Sequence, residues 1–312
     1  MKKESLEKKL REICRGELRL GESMRAHTSL RIGGPADIFI VPQDFEDLKS
    51  ITMFAGQEEI PYFVLGKGTN LLVSDKGLRG IVIKVAGWMD HIINKEEKVL
   101  AGSGADLSRV GRVAKDLGLS GLEFAVGIPG TVGGAVITNA GGNLGCLGDI
   151  LNKVLVLNPQ GEVKILSKED LNSDYRESLI KSTDLIILEA ELSLKSEKKE
   201  EIERRMEYLK AQRIKSQPRG ILSAGSIFKN PNGSSGASEG EEPPAGYLIE
   251  RVGAKGLHLG DAYVSEVHAN FIINREKAKA REVWELINII RARVEKKFGI
   301  RLTLEIEMVG EW

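Results

Sequence analysis

From Gly127 to Gly142 the chain reads Gly-Ile-Pro-Gly-Thr-Val-Gly-Gly-Ala-Val-Ile-Thr-Asn-Ala-Gly-Gly. The run is nearly empty of bulky polar side chains and too often broken by glycine for an ordinary helix or strand. Glycine adopts positive φ and lets another molecule lie directly against main-chain N–H groups. The chemistry on offer is therefore backbone recognition of a flat or phosphorylated ligand, and a tight interdomain turn would draw on the same residues. Two further glycine turns, Gly66-Lys-Gly-Thr-Asn70 and Gly102-Ser-Gly104, each close an apolar run. Neither is a familiar nucleotide loop. In the first, Gly68 follows the lysine where a Walker A loop needs Ser or Thr, and Leu71 stands where the dinucleotide fingerprint needs its third glycine; the second fails at Leu107. Three glycine turns after strands are able to cradle a pyrophosphate without a Rossmann helix.

These turns need elements to hold them. Leu6, Leu10 and Ile13, and Phe45, Leu48, Ile51 and Phe54 behind the cap residue Asp44, recur at helical spacing. Short apolar runs at Tyr62 to Leu65, Gly80 to Val85 and Lys98 to Gly102 predict strands. A helix is predicted from Asp106 to Gly118, with Leu107, Val110, Val113, Ala114 and Leu117 on its buried face. Val154 to Leu157 and Glu162 to Leu166 flank a hairpin turn, and Leu185 to Leu194 forms a further strand. The charged segment Ser196 to Lys215, with Ile202, Met206 and Leu209 at spacings of four and three, predicts a boundary helix. After it come a polar insertion from Asn232 to Pro244, a strand from His268 to Asn274, a helix carrying Val283, Leu286, Ile287, Ile290 and Val294 up to Gly299, and a last strand. Without regular βαβ alternation or an internal repeat, the pattern implies an α+β fold.

The 312 residues are 41% hydrophobic, enough for two or three packed units. Lys plus Arg and Asp plus Glu both number 45, so no global charge recommends nucleic acid or an anionic membrane as a partner, and an anionic ligand must be met locally. The opening Met1-Lys-Lys-Glu-Ser-Leu has no apolar signal region and no later run approaches membrane-spanning length, which predicts a cytoplasmic protein. Cys14 and Cys146 form no CxxC pair, and His27, His91, His258 and His268 have no metal-ligand spacing; we expect reduced structural cysteines and no metal.

Val64-Leu-Gly-Lys-Gly-Thr-Asn-Leu-Leu-Val73, followed by Gly127-Ile-Pro-Gly-Thr-Val-Gly-Gly-Ala135 and Asn139-Ala-Gly141, resembles the FAD-binding domain of the vanillyl-alcohol-oxidase (PCMH) type. Asp174-Tyr-Arg-Glu-Ser178, Ala224-Gly-Ser-Ile-Phe-Lys-Asn-Pro231 and Val264-Ser-Glu-Val-His-Ala-Asn-Phe-Ile-Ile-Asn274 narrow the resemblance to the UDP-N-acetylenolpyruvoylglucosamine reductase (MurB) family, in order and spacing, from about His27 to Gly310. The resemblance implies a two-lobed FAD-binding domain over 1–198, with its lobe boundary near 85, and a smaller α+β substrate-binding domain over 199–312. It also implies a hydride relay in which NADPH reduces FAD and the enolpyruvyl ether of the sugar nucleotide then takes the hydride, giving UDP-N-acetylmuramate for peptidoglycan.

Adding hydride at C3 leaves carbanion or enol character at C2 and extra charge on the adjoining carboxylate, so an acid and a charge stabiliser are needed. The family match assigns Ser226 as the proton donor, which requires neighbours that polarise its hydroxyl, and Arg176 as the guanidinium facing the carboxylate. It assigns Glu305 to the enol intermediate, whereas the alternation of Leu302, Leu304, Ile306 and Met308 alone would leave Thr303, Glu305 and Glu307 on a solvated face. By the same resemblance the flavin contacts are Gly66, Lys67, Gly68, Thr69, Asn70, Leu71, Gly127, Gly130, Thr131, Val132, Gly133, Gly134, Asn139 and Ala140. The UDP part falls to Tyr175, Lys229, Asn230 and Arg213, and Thr28, Arg31 and Gly34 lie in a segment near the flavin.

The chain departs from the family pattern at several places. Glu307 stands where arginine is common, Thr69 where serine is usual, Gly142-Asn143 where Ala-Tyr is common, and Ser216 where a lysine usually precedes Pro218 by two residues. The insertion Gly233 to Pro244 carries no apolar anchor and reads as a mobile solvent loop rather than a lid. Another oxidase or dehydrogenase of the same FAD fold, or a nucleotide-sugar or flavin-binding module without turnover, would share the glycine loops.

Overall fold

The helix Phe45–Gln57 starts where Asp44 accepts a hydrogen bond from the Asp47 backbone, and its Leu48, Ile51 and Ala55 are fully buried. Together with the helix Lys3–Ile13 it covers a four-stranded sheet in the order Glu17–Ser23, Pro35–Val41, Leu78–Lys84, Tyr62–Leu65. The last two strands run parallel, with Tyr62 opposite Ile81 and Leu65 opposite Lys84, so Gly66 leaves the sheet at a strand end. The computed structural model describes residues 3–142, 144–231 and 242–312. Most of the polar insertion from Asn232 to Pro244, and Asn143, lie outside the described residues.

A second, five-stranded sheet is antiparallel throughout, in the order Val163–Ser167, Leu151–Leu157, Ile186–Ser193, Lys98–Gly102, Ile92–Lys95. Its buried Val99, Ala101, Val154, Val156, Ala190 and Leu192 share a core with the helix Leu107–Asp116. That helix is capped by the Asp106 carboxylate, which accepts from the Arg109 N–H. Both sheets belong to one compact unit made of Met1–Glu22, Ala36–Gly66 and Arg79–Met206.

The other unit comprises Ser23–Pro35, Lys67–Leu78 and Glu207–Trp312. It holds an antiparallel sheet in the order Leu222–Ser226, Phe271–Asn274, Ala262–Val264, His258–Leu259. The helices Ala245–Arg251 and Ala280–Phe298 bury Leu248, Ile249, Val283, Leu286, Ile287 and Ile290 in its core. In the same unit Leu71–Val73 pairs in parallel with Glu307–Val309, which draws the 67–78 segment to the C-terminal part of the chain. A boundary between 198 and 199 therefore divides the chain differently from this split. The helix Lys199–Ser216 itself contributes residues to both units. No helix among the described residues is long and apolar enough to cross a membrane.

Candidate functional site

In the first unit the glycine run contains a short helix after all, Val132–Ile137, which corrects the expectation that glycine excludes one there. Thr131 makes it possible: its hydroxyl caps the helix by accepting from the Gly134 N–H at 3.3 Å. The neighbouring turn supplies the other acceptors. Val132 N–H donates to the Ala105 carbonyl at 2.9 Å and Gly133 N–H to the Ser103 carbonyl at 2.8 Å. These three N–H groups are thus committed to protein rather than open to a ligand, a second correction to the backbone-surface reading. A Cβ at Gly133 would stand 3.0 Å from the Ser103 Cβ, so here glycine serves the close approach of two loops. Of the other glycines in this stretch, Gly127 is exposed and Gly130 half-buried.

Gly66 adjoins the same place, since a Cβ on it would lie 2.5 Å from the Thr131 hydroxyl. The Lys84 ammonium donates to the Gly66 carbonyl. The Ser103 hydroxyl is buried without a hydrogen-bond partner among the described residues. Asn139, a predicted flavin contact, is buried and works as a bridge. Its Nδ2 donates to the Asp174 carbonyl at 2.9 Å and its Oδ1 accepts from the Gly148 N–H at 2.8 Å. Ala140, beside it, is also buried.

That bridge reaches the motif carrying Arg176. Asp174 and Glu177 exchange both backbone hydrogen bonds, at 3.0 and 3.1 Å, and Arg176 at the tip adopts φ 57°, a conformation costly for an arginine. Its guanidinium lies 5.6 Å from the Tyr175 ring centroid, and Nη2 donates to the Gly141 carbonyl at 3.1 Å. The structure therefore brings together Arg176, Tyr175 and the end of the glycine run. Close by, Cys146 is a free, half-buried thiol, and burial followed by the Asp149 carboxylate pushes its pKa up, which keeps it protonated and unreactive.

In the second unit, Ser226 ends the strand Leu222–Ser226. The pairing with the neighbouring strand slips between Ser223 and Ser226, where Gly225 takes φ 81°, and resumes with Ser226 opposite Phe271. The chain then pairs with the segment after Leu302: Glu305 N–H donates to the Ile227 carbonyl at 2.8 Å, and Lys229 N–H to the Thr303 carbonyl at 2.9 Å. Ser226 and Glu305 are thus held on adjoining, hydrogen-bonded segments. Asn70, from the first glycine motif, donates from Nδ2 to the Glu305 carbonyl at 3.0 Å, and its own carbonyl accepts from Glu307 N–H at 2.9 Å. Lys67, Gly68, Thr69 and Leu71 accompany it in this unit.

Glu305 and Glu307 are half-buried while Thr303 is exposed, so the two acids are less solvated than alternation alone implies. Asn230 spends its Oδ1 on the Ala245 N–H at 3.1 Å, at the start of a helix. Arg213 lies in the last turn of the helix Lys199–Ser216. Buried Asn270 was assigned no role from the sequence; its Oδ1 accepts from the Phe228 N–H and its Nδ2 donates to the Phe228 carbonyl. The signal available was an asparagine leading directly into an apolar strand, where a buried amide must have backbone to hold.

A family model described as the UDP-N-acetylenolpyruvoylglucosamine reductase C-terminal domain matches residues 217–309, and one described as an FAD binding domain matches residues 36–167. The UDP-N-acetylenolpyruvoylglucosamine reductase of Caldanaerobacter subterraneus subsp. tengcongensis is 43% identical over 309 residues, 99% of each chain. That of Desulforamulus reducens is 41% identical over 307 residues, 98% of each chain. The crystal structure of UDP-N-acetylenolpyruvylglucosamine reductase (MurB) from Thermus caldophilus has a TM-score of 0.78 at 39% identity, covering 94% of this chain and 98% of that one. With two family models that fall on successive parts of the chain and relatives aligned over nearly its whole length, the chain belongs to the UDP-N-acetylenolpyruvoylglucosamine reductase family.

Proposed function

We propose that this enzyme uses NADPH and FAD to reduce UDP-N-acetylenolpyruvoylglucosamine to UDP-N-acetylmuramate, a step of cytoplasmic peptidoglycan precursor synthesis. The observation that carries the reading is the backbone pairing of 227–229 with 303–305, which holds Ser226 and Glu305 on neighbouring segments, with Asn70 bonded to the Glu305 carbonyl.

The residues fit FAD. Gly66 and Thr131 adjoin, Gly127 is exposed and Gly130 half-buried, and the run Gly127 to Gly142 contains no carboxylate to repel a pyrophosphate. By the family match, Gly66, Lys67, Gly68, Thr69, Asn70, Leu71, Gly127, Gly130, Thr131, Val132, Gly133, Gly134, Asn139 and Ala140 would hold it. When bound, FAD supplies two-electron chemistry, accepting a hydride from NADPH and passing one to the substrate.

The chain's own residues then deal with charge and proton. Arg176 holds the substrate carboxylate and meets the negative charge that grows on it after hydride reaches C3. Ser226 delivers a proton from Oγ to C2, so that the enolpyruvyl double bond gains one hydride and one proton. Glu305 stabilises the enol form from the adjoining segment. Tyr175, Lys229, Asn230 and Arg213 bind the uridine diphosphate, Lys229 and Arg213 by charge.

Ser226→Ala tests the assignment in two half-reactions followed by stopped-flow flavin absorbance. Flavin reduction by NADPH is expected at the wild-type rate, and reoxidation by the enolpyruvyl substrate is expected to fall by at least about 10²-fold. Wild-type rates in both would remove Ser226 from the mechanism.

A further inference from the structure

Phe228 is 1% exposed, so its N–H and C=O cannot turn to water, and each costs free energy if it lacks a partner. Neither group pairs with the strand on either side. The ladder to the strand Phe271–Asn274 stops at Ser226, and the bonds to the 303–305 segment are made by Ile227 and Lys229. Both Phe228 groups are taken by one side chain. Asn270, 4% exposed, accepts from the Phe228 N–H at 2.9 Å and donates to the Phe228 carbonyl at 2.8 Å, and its own main-chain carbonyl accepts from the Ile227 N–H at 2.8 Å. An asparagine amide presents one donor and one acceptor side by side, as a strand backbone does.

The position of this clamp matters because of what precedes it. Gly225, at φ 81°, has no atom of the described residues within 4 Å of where a Cβ would be, so on that side the chain just before Ser226 is open. On the other side Ser226 leads into residues 227 and 228, which Asn270 grips through three hydrogen bonds. We infer that Asn270 is the positioning residue for the proton donor: by substituting for a missing stretch of ladder it fixes the segment after Ser226, and through it the direction of the Ser226 hydroxyl. The inference rests on the reading of Ser226 as proton donor.

The isosteric Asn270→Asp keeps the acceptor toward Phe228 N–H and faces the Phe228 carbonyl with a second oxygen. Asn270→Ser, smaller and uncharged, is measured beside it so that a failure of one variant to fold leaves the comparison intact. Each is loaded with FAD and studied in the two half-reactions, alone and combined with Ser226→Ala, with the flavin spectrum and thermal midpoint recorded. The expected result is flavin reduction by NADPH at the wild-type rate, unchanged KM for the sugar nucleotide, and reoxidation slowed by about 10²-fold. The double variant is expected to be no slower than Ser226→Ala alone, because both changes remove the same proton delivery.

Wild-type reoxidation in the Asn270 variants, while Ser226→Ala abolishes it, overturns the positioning role and leaves the donor assignment standing. So does a double variant slowed by the product of the two single effects, or a parallel fall of both half-reactions. Wild-type reoxidation in Ser226→Ala removes the donor assignment itself, and the positioning role with it.

Discussion

Asn139 shows how a residue in a ligand motif can also hold the protein together. Its amide joins Gly148 to Asp174 from a buried position, two residues before the Gly141 carbonyl that accepts from Arg176. Asn139→Ala would leave the Gly148 N–H without its acceptor and the Asp174 carbonyl with the Glu177 N–H as its remaining donor, and we expect a loss of about 1–3 kcal/mol, read as a lower denaturant midpoint at unchanged m-value. An unchanged midpoint would mean that the bridge carries no weight. At this scale the candidate residues of the proposed site were legible in the sequence, Arg176 and Ser226 through their motifs and Glu305 through the family resemblance. Their partners were not. Asn139 and Asn70 read as flavin contacts, yet the acceptors of their amides, the Asp174 and Glu305 carbonyls, lie far along the chain, where no local spacing points.

Elements that depend on local signals were legible almost to their ends. The strand Lys98–Gly102 has the predicted bounds, and the helices Phe45–Gln57 and Leu107–Asp116 start behind the aspartates that cap them. The helix Ala280–Phe298 is different: Asp75 accepts from its Ala280 and Arg281 N–H groups at 2.9 and 3.1 Å, a cap from another part of the chain that no window of sequence contains. The boundary helix Lys199–Ser216 is tied down in a similar way. Arg205 reaches Glu123 at 2.6 Å, and Glu123, 7% exposed, also accepts from Gly121 N–H and the Ser120 hydroxyl. Burial alone would raise the Glu123 pKa, but Arg205 and the other donors outweigh it and hold the carboxyl below its ordinary value of 4.5. A depressed folded-state pKa stabilises the fold fully above the ordinary value, and that contribution is lost as pH falls through the lower one. Glu123→Gln is therefore expected to cost about 2 kcal/mol at neutral pH and to flatten the decline of the melting temperature below about pH 4.5. Parallel wild-type and variant profiles would contradict this.

At the scale of the whole molecule, the mixed α+β class followed from the absence of βαβ alternation, and the charged segment Ser196 to Lys215 marked the division between Met206 and Glu207, but no compositional shift marked the earlier segments that join the C-terminal unit. Residues 23–35 and 67–78 join the C-terminal unit because Leu71–Val73 pairs with Glu307–Val309 and Asn274 donates to the Leu30 carbonyl at 2.9 Å. Such pairing is non-local, and hydrophobic periodicity carries no record of it. The motif Val64 to Val73 is itself divided, with Val64 to Gly66 in one unit and Lys67 to Val73 in the other. The reaction proposed for the whole molecule is a flavin-mediated reduction of the enolpyruvyl ether. It is tested most directly by anaerobic oxidation of NADPH by the FAD-loaded protein, with and without stoichiometric UDP-N-acetylenolpyruvoylglucosamine, followed by mass analysis of the sugar nucleotide. We predict NADPH oxidation continuing until the substrate is consumed, with a gain of two hydrogens in the product. Flavin reduction that stops after one equivalent, with the sugar nucleotide unchanged, would contradict the account.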